Sequence, residues 1–304
     1  MKKNLLTLFC ILTVILSKPV LAQTMQDGLK MSNKQLCVVA QYQTESWKEY
    51  WEGTRFRTNP NLGTFTANSV TLMAAYGISE KLNVIAMLPY IQTSATAGTM
   101  RGQSGLQDLS VALKYDFLDY KKFRMYGVLG ASTPVSKYIP DFLPFSIGLQ
   151  AKTASFRLIA HQKIGPLHIT GQAGYVARTK ITVDRTNYFT DDNIIYSNSM
   201  AVPDITNVMI RVGMDKKAFL AEAFIEQTNC LTGSDIRRFD TPLPVNKMDF
   251  TRVGIFVTWH TPIKNVSLNF NASQVLDGRN VGKSTMLGGQ LQYIINNKTS
   301  NLTK

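Results

Sequence analysis

Apolar and polar residues alternate with a period of two along most of this chain. In "LQDLSVALKYDF", Leu109, Val111, Leu113, Tyr115 and Phe117 fall on one face, and Asp108, Ser110, Ala112, Lys114 and Asp116 on the other. "TRVGIFVTWH" sets Val253, Ile255, Val257 and Trp259 against Arg252, Gly254, Thr258 and His260. Successive side chains of a strand point to opposite faces, so this pattern predicts strands with one apolar side. Twelve such segments are expected, near residues 34–43, 67–78, 81–92, 106–117, 122–133, 151–163, 167–178, 205–214, 218–228, 249–260, 264–275 and 284–295. Each is about as long as a tilted strand needs to cross a bilayer.

The connections sort by length. Those after the even-numbered segments are short, as in "SE", "LDYK", "GP", "DKK" and "TPIK". Those after the odd-numbered ones are long, except the last, "DGRNVGKS". Tight turns at one end and long loops at the other predict a closed antiparallel transmembrane β-barrel with both termini on the short-turn, periplasmic side. A soluble sandwich has no reason to sort its loops this way. Closure also satisfies every backbone N–H and C=O of a spanning sheet.

The first residues, "MKKNLLTLFCILTVILSKPVLAQ", read as a secretory signal over 1–22, with residues 23–304 forming the barrel. The basic start, the short apolar core and Val20-Leu21-Ala22 supply its three parts. Export predicts the outer membrane of a Gram-negative bacterium. The full chain carries 33 basic and 20 acidic residues, a net +13. Losing Lys2, Lys3 and Lys18 leaves 30 against 20, or +10. For an exported chain this excess suits anionic lipid headgroups or anionic solutes, not nucleic acid. Cys37 and Cys230 fall at opposite ends of their strands and are expected to be free thiols.

"LNVIAMLPYI" followed by "SGLQDLSVALKYDFL", and the ending "GRNVGKSTMLGGQLQY", resemble outer-membrane proteins labelled as a meta-pathway phenol-degradation family. "AEAFIEQTNCLTGSDIRRFDTPLP" is similar to a Bacteroidota-type branch of it. The resemblance covers most of the mature chain. It implies a twelve-stranded outer-membrane barrel that transports aromatic or hydrophobic compounds. The chain departs from common barrel patterns in two ways. It continues past Tyr293 into "NKTSNLTK", which moves the aromatic signal expected for the assembly machinery inward to Tyr293. Only about ten residues precede the first strand, which predicts too little chain to fill a lumen.

No catalytic set, metal site or cofactor motif is expected. Gly282-Lys283-Ser284 mimics the end of a nucleotide-binding loop, but three residues, not four, separate Gly278 from Gly282, and a strand follows. "DGRNVGKS" is expected to be a tight hairpin turn with Asp-Gly at its start. His161 and His168 flank "QKIGPL" as polar groups at the periplasmic rim, at a spacing unlike metal ligands.

The candidate solute path is the inward face. Arg211, Glu222, Glu226 and Arg252 are expected to pair across neighbouring strands, first as ion pairs filling a narrow barrel and second as a solute relay. Lys114, Arg157 and Arg178 lack an obvious carboxylate on an adjacent strand and are expected to form an anion-attracting lining. Trp47, Tyr50, Trp51, Arg55, Phe56 and Arg57 in the first loop predict an interfacial girdle, or alternatively a hydrophobic capture site at the mouth. Pro89 cannot donate to a ladder and is expected to bulge the wall, opening a sideways exit. The functional expectation is passive or facilitated passage of small solutes, aromatic or hydrophobic ones among them. The alternative is a non-transporting, non-enzymatic surface barrel whose long loops bind lipopolysaccharide, a ligand or a protein.

Overall fold

The computed structural model describes residues 24–190, 193–238 and 240–296. The expected signal segment 1–22 and the tail "NKTSNLTK" lie outside them. Twelve long strands form one sheet: β1 (Gln35–Trp47), β2 (Phe65–Gly77), β3 (Leu82–Ala95), β4 (Asp108–Tyr120), β5 (Phe123–Pro134), β6 (Thr153–Ile164), β7 (Leu167–Arg178), β8 (Ile205–Asp215), β9 (Phe219–Cys230), β10 (Asp249–His260), β11 (Val266–Arg279) and β12 (Thr285–Asn296). Each pairs antiparallel with its neighbours in sequence. β1 pairs with β12 from Gln35↔Asn296 to Ser46↔Thr285, so the sheet closes on itself. Closure removes the edge that an open sheet would leave unpaired. All twelve expected segments are strands, displaced at their ends by a few residues at most.

The wall is apolar outside and polar inside. Leu72 (60 %), Leu129 (61 %) and Phe270 (55 %) stand exposed on the outer surface, whereas Lys114 (1 %), Glu226 (4 %) and Asn269 (0 %) are buried within. A water-soluble domain has the reverse distribution, and its exposed apolar patches are small and isolated. The strands are 11 to 14 residues long. At about 3.4 Å per residue and a tilt near 45°, they give a band of roughly 25–30 Å, which matches a hydrocarbon core.

The long loops fold over one end of the barrel. Loops 48–64 and 135–152 bring Leu62 and Phe145 onto Phe65 of β2, with Trp47 and Phe142 packed alongside. Thr93 of β3 donates its hydroxyl to the Phe145 carbonyl at 2.6 Å. Loops 179–204 and 231–248 share a small apolar core around Ile181, Tyr188, Met200 and Leu243. The last hairpin departs from expectation. Asp277 and Gly278 remain within β11, opposite Thr251 and Phe250, and the reversal comes at Asn280 with φ 57°. Asparagine tolerates that left-handed conformation because its side chain bonds locally.

Candidate functional site

The ten residues before β1 cross the interior at the short-turn end. The expectation that they could not fill the lumen is therefore corrected. They span it as a run of turns whose carbonyls are capped by side chains from the wall. Lys114 of β4 donates to the Asp27 carbonyl at 2.6 Å, the Asp27 Oδ1 at 3.0 Å and the Thr24 carbonyl at 3.3 Å. An ammonium has three protons, so these acceptors satisfy it completely. Its Nζ also lies 4.9 Å from the centre of the Tyr126 ring, within cation–π range. Tyr126 donates to the Gly28 carbonyl at 3.0 Å, and Arg157 of β6 to that of Met25 at 3.0 Å. Asn83 holds the Met31 carbonyl at 3.0 Å, and Lys30 reaches Asp116 at 2.6 Å. Met31 is buried against Cys37, Val39, Ala75, Ile85 and Ile294. Gly28 leaves no space for a larger residue, because a Cβ there would lie 2.3 Å from the His161 ring.

Beside this plug runs the ion-pair ladder. Arg211 of β8 meets Glu222 of β9 at 3.3 Å, and Glu222 also bonds His168 of β7 at 2.9 Å. Glu226, opposite Arg252 in register, accepts from the Arg252 Nε at 2.9 Å and from Asn207 at 2.8 Å. Gln172 donates to Asn207 at 2.9 Å and extends the network onto β7. On the other side of the lumen Asn269 of β11 and Gln292 of β12 are fully buried. Lys114, Arg157, Arg211 and Arg252 thus meet Asp27, Glu222 and Glu226 in the plug and the ladder, and Glu45 of β1 and Asp108 of β4 share the inward phase. Lys30 and Asp116 cancel one another.

Lys114, expected to lack a counter-ion, has one in Asp27 and is not available to a passing anion. Arg157 binds a carbonyl instead of a carboxylate. Arg178 sits apart from the ladder, at the outer end of β7, where it donates to the Pro203 carbonyl at 3.1 Å. His161 and His168 point inward with ring centres 5.4 Å apart. With Gly28, Lys30, Arg124 and Glu222 they line a cavity of about 180 Å³ beneath the plug. Tyr126 and Asn207 had no signal in the sequence beyond their inward phase, and Asp27, outside any strand, had none.

At the loop end Trp47 and Trp51 turn inward, not outward as a girdle requires. Odd positions of β1 face the lumen, and Gly282 leaves room for Trp47: a Cβ there would lie 2.4 Å from the indole. Trp47 stacks on Phe65 with centroids 5.3 Å apart, and Trp51 packs on Phe56 at 5.1 Å. Tyr50 tilts against Trp47. Arg57 pairs with Glu52, Arg55 points to solvent, and Phe56 is partly exposed. Pro89 pairs with Thr71 in an unbroken β2–β3 ladder. On its other side the β3–β4 ladder stops at Met87↔Ser110 and resumes at Tyr90↔Leu106. Leu88 and Pro89 therefore face three residues, 107–109, which is a bulge and not an open wall. Gln107 bridges it by donating to the Pro89 carbonyl at 2.9 Å. Cys37 and Cys230 are free.

A latch holds the loop that follows β9. Arg279 donates twice to Asp235, each bond 2.7 Å, and Asn280 adds a third at 2.9 Å. The Arg279 guanidinium holds the Asp235 carboxyl below the usual carboxylate range. A depressed carboxylate stabilises the docked loop fully above its free value, near pH 4, and that contribution fades as the pH falls below it. Hydrogen exchange in residues 231–247, corrected for intrinsic rates, is expected to accelerate below about pH 4. Asp235→Asn is expected to flatten the profile; an unchanged profile refutes the latch.

No family model matches the chain, and no curated protein matches it. Among solved structures it is similar to the COG4313 outer membrane channel from Pseudomonas putida F1, at a TM-score of 0.68 and 12 % identity, over 91 % of this chain and 100 % of that one. The KdgM porin in complex with disordered oligogalacturonate gives 0.48 and 7 %, over 85 % and 99 %. The CymD monoaromatic hydrocarbon channel gives 0.42 and 12 %, over 88 % and 89 %. The first likeness shows the fold, a closed twelve-stranded barrel shared with an outer membrane channel; the other two add nothing to it.

Proposed function

We propose that this chain is an outer-membrane barrel through which small solutes, aromatic or hydrophobic ones among them, pass by passive or facilitated transport. The observation that carries this reading is the inverted wall, apolar outside and charged within, closed around an interior that a short N-terminal segment occupies by hydrogen bonds. Lipid is the solvent that such an outer surface suits. The hydrophobic solute class follows the sequence resemblance to the phenol-pathway group, and so do the Bacteroidota branch and reliance on the outer-membrane assembly machinery. Export through residues 1–22 into the outer membrane of a Gram-negative cell belongs to the same reading. The Pro89 bulge adds a route. A seam that already lacks one regular pairing separates at less cost than its neighbours, and apolar solutes leave sideways there.

Purified protein in liposomes is expected to admit small aromatic solutes faster than sugars of equal size. A disulfide across the bulge, from Leu88→Cys with Leu109→Cys, is expected to slow the aromatic flux while leaving ion conductance unchanged. A barrel that runs folded on heat-modifiable gels yet admits neither class favours the second reading, a surface barrel that binds through its loops. The apolar core shared by loops 179–204 and 231–248 supports that alternative.

A further inference from the structure

Three lysines crown adjacent strands at the loop end. Lys137 lies just past β5, Lys152 just before β6 and Lys180 just past β7. All three are exposed and line one cleft of about 550 Å³ with Tyr138, Gln150 and Thr179. That volume is in the range of sites that hold small ligands. No described carboxylate pairs with any of the three. The acidic groups nearby are engaged elsewhere: Asp108 accepts from Tyr138 at 2.7 Å, Asp141 pairs with Arg185 at 3.2 Å, and Asp204 accepts from the Arg178 amide at 2.8 Å. Among the described residues the three ammonium groups of the cleft thus have no carboxylate paired with them.

The walls of the cleft are fixed while the ammonium groups stay free. Lys152 donates its amide to the Thr179 hydroxyl at 3.0 Å, and Thr179 returns its own to the Lys152 carbonyl at 3.0 Å. Gln150 donates its amide to the Tyr138 hydroxyl at 3.1 Å and its side chain to the Ser136 carbonyl at 2.9 Å. Fixing the backbone that carries Lys152 and the wall around it reduces the ordering cost of binding.

Position decides which anion fits. Leu129 of β5, Phe156 of β6 and Tyr175 of β7 face outward below the cleft, and Val135 and Ile139 are exposed beside it. Lys137 follows β5 after two loop residues, Lys152 directly precedes β6 and Lys180 follows β7, so all three stand at the loop-end rim of these strands. The cleft thus sits at the rim of these strands, at the upper border of the apolar wall and beside the exposed Val135 and Ile139. A free anion would use the lysines alone. An amphiphile with phosphates on its headgroup uses both the lysines and the apolar flank beneath them. We propose that this cleft binds the phosphate groups of an outer-leaflet glycolipid of the lipid A type. The proposal rests on the outer-membrane reading.

The test is native mass spectrometry and fluorescence titration of the full barrel in detergent, with bisphosphoryl lipid A, its dephosphorylated form and inorganic phosphate as probes. Bisphosphoryl lipid A is expected to bind at least tenfold more tightly than the dephosphorylated form. Each lysine near a charged surface adds roughly fivefold in affinity. Lys137→Gln with Lys152→Gln and Lys180→Gln is therefore expected to weaken binding about a hundredfold. Heat-modifiable mobility and solute flux report that the triple variant remains folded; if it does not, the single Lys152→Gln variant carries the test with a fivefold loss. Equal affinity for the two lipids, equal affinity of wild type and variant, or inorganic phosphate binding as tightly as the lipid each overturns the proposal. A chain that never enters vesicles overturns the membrane reading with it, whereas one that inserts and ignores lipid phosphate overturns this site alone.

Discussion

A chain lacking residues 24–33 conducts ions and small polar solutes severalfold better in planar bilayers than the full chain; that is the expected outcome of removing the plug. The segment is bonded to the wall from β3, β4, β5 and β6 through Asn83, Lys114 and Asp116, Tyr126 and Arg157. It brings no secondary structure of its own, so its position depends on those bonds. Asp27 is the most sensitive point, because Lys114 is buried without any other carboxylate in contact. Removing one partner of a buried pair typically costs about 3–5 kcal/mol, since the other charge is left unneutralised. If that cost falls on the docked state, Asp27→Leu shifts the plug toward release by about a hundredfold or more, each 1.4 kcal/mol being tenfold. Asp27→Leu with Lys114→Leu removes both charges and is expected to restore part of the closed behaviour, the Thr24 and Asp27 carbonyls having lost their donor. Single-channel recording separates these outcomes. Unchanged conductance in the deletion, with the barrel shown folded by heat-modifiable mobility, refutes the plug.

The parts of this architecture legible in the sequence are those governed by short-range periodicity. Val253, Ile255, Val257 and Trp259 face outward because alternation leaves them no choice once the opposite face carries Arg252. The pairing of Arg211 with Glu222 could be read because the tight turn between β8 and β9 fixes their register; β9 and β10 are joined by the long loop 231–248, and Glu226 with Arg252 was legible only as two opposite charges on the inward phase of adjacent strands. The plug could not be read that way. "MQDGLKMSNK" has no period, and Asp27 meets Lys114 across 87 residues of chain. Lys114 looked unpaired because only Asp108 and Asp116 shared its strand, and neither contacts it; Asp116 is held by Lys30 instead. Phase also predicts that Trp47 faces inward, but its aromatic, basic surroundings in "SWKEYWEGTRFR" suggested an interface. What settled its direction is the space left by Gly282, more than 230 residues away in the chain. His168 joined the ladder for a similar reason: its inward phase was visible, but its contact with Glu222 spans β7 to β9 and is not a direct neighbour pairing. The Asp-Gly pair misplaced the last turn because β11 continues through it to Arg279, where the latch to Asp235 rewards the extra length.

Glu226 tests whether the interior is dry. Its side chain is almost fully buried, Arg252 and Asn207 both donate to it, and it faces Arg252 directly in register. In a packed lumen Glu226→Leu leaves Arg252 uncompensated, with Arg157 adding a second positive charge in the same interior. The expected loss is about 3–5 kcal/mol of barrel stability. In a water-filled lumen the same substitution removes only a solvated pair, and the loss is at most about 1 kcal/mol. Glu226→Leu with Arg252→Leu distinguishes charge from packing. If desolvation dominates, the double variant regains most of the lost stability, because two apolar side chains replace a pair whose burial was itself expensive. Urea unfolding in lipid vesicles gives the three values and their coupling. A large single loss that the double variant reverses shows a dehydrated ladder and a passage too narrow for hydrated ions beside it. A single loss near zero shows a wet lumen, in which the ladder acts as a line of exchangeable contacts for solutes.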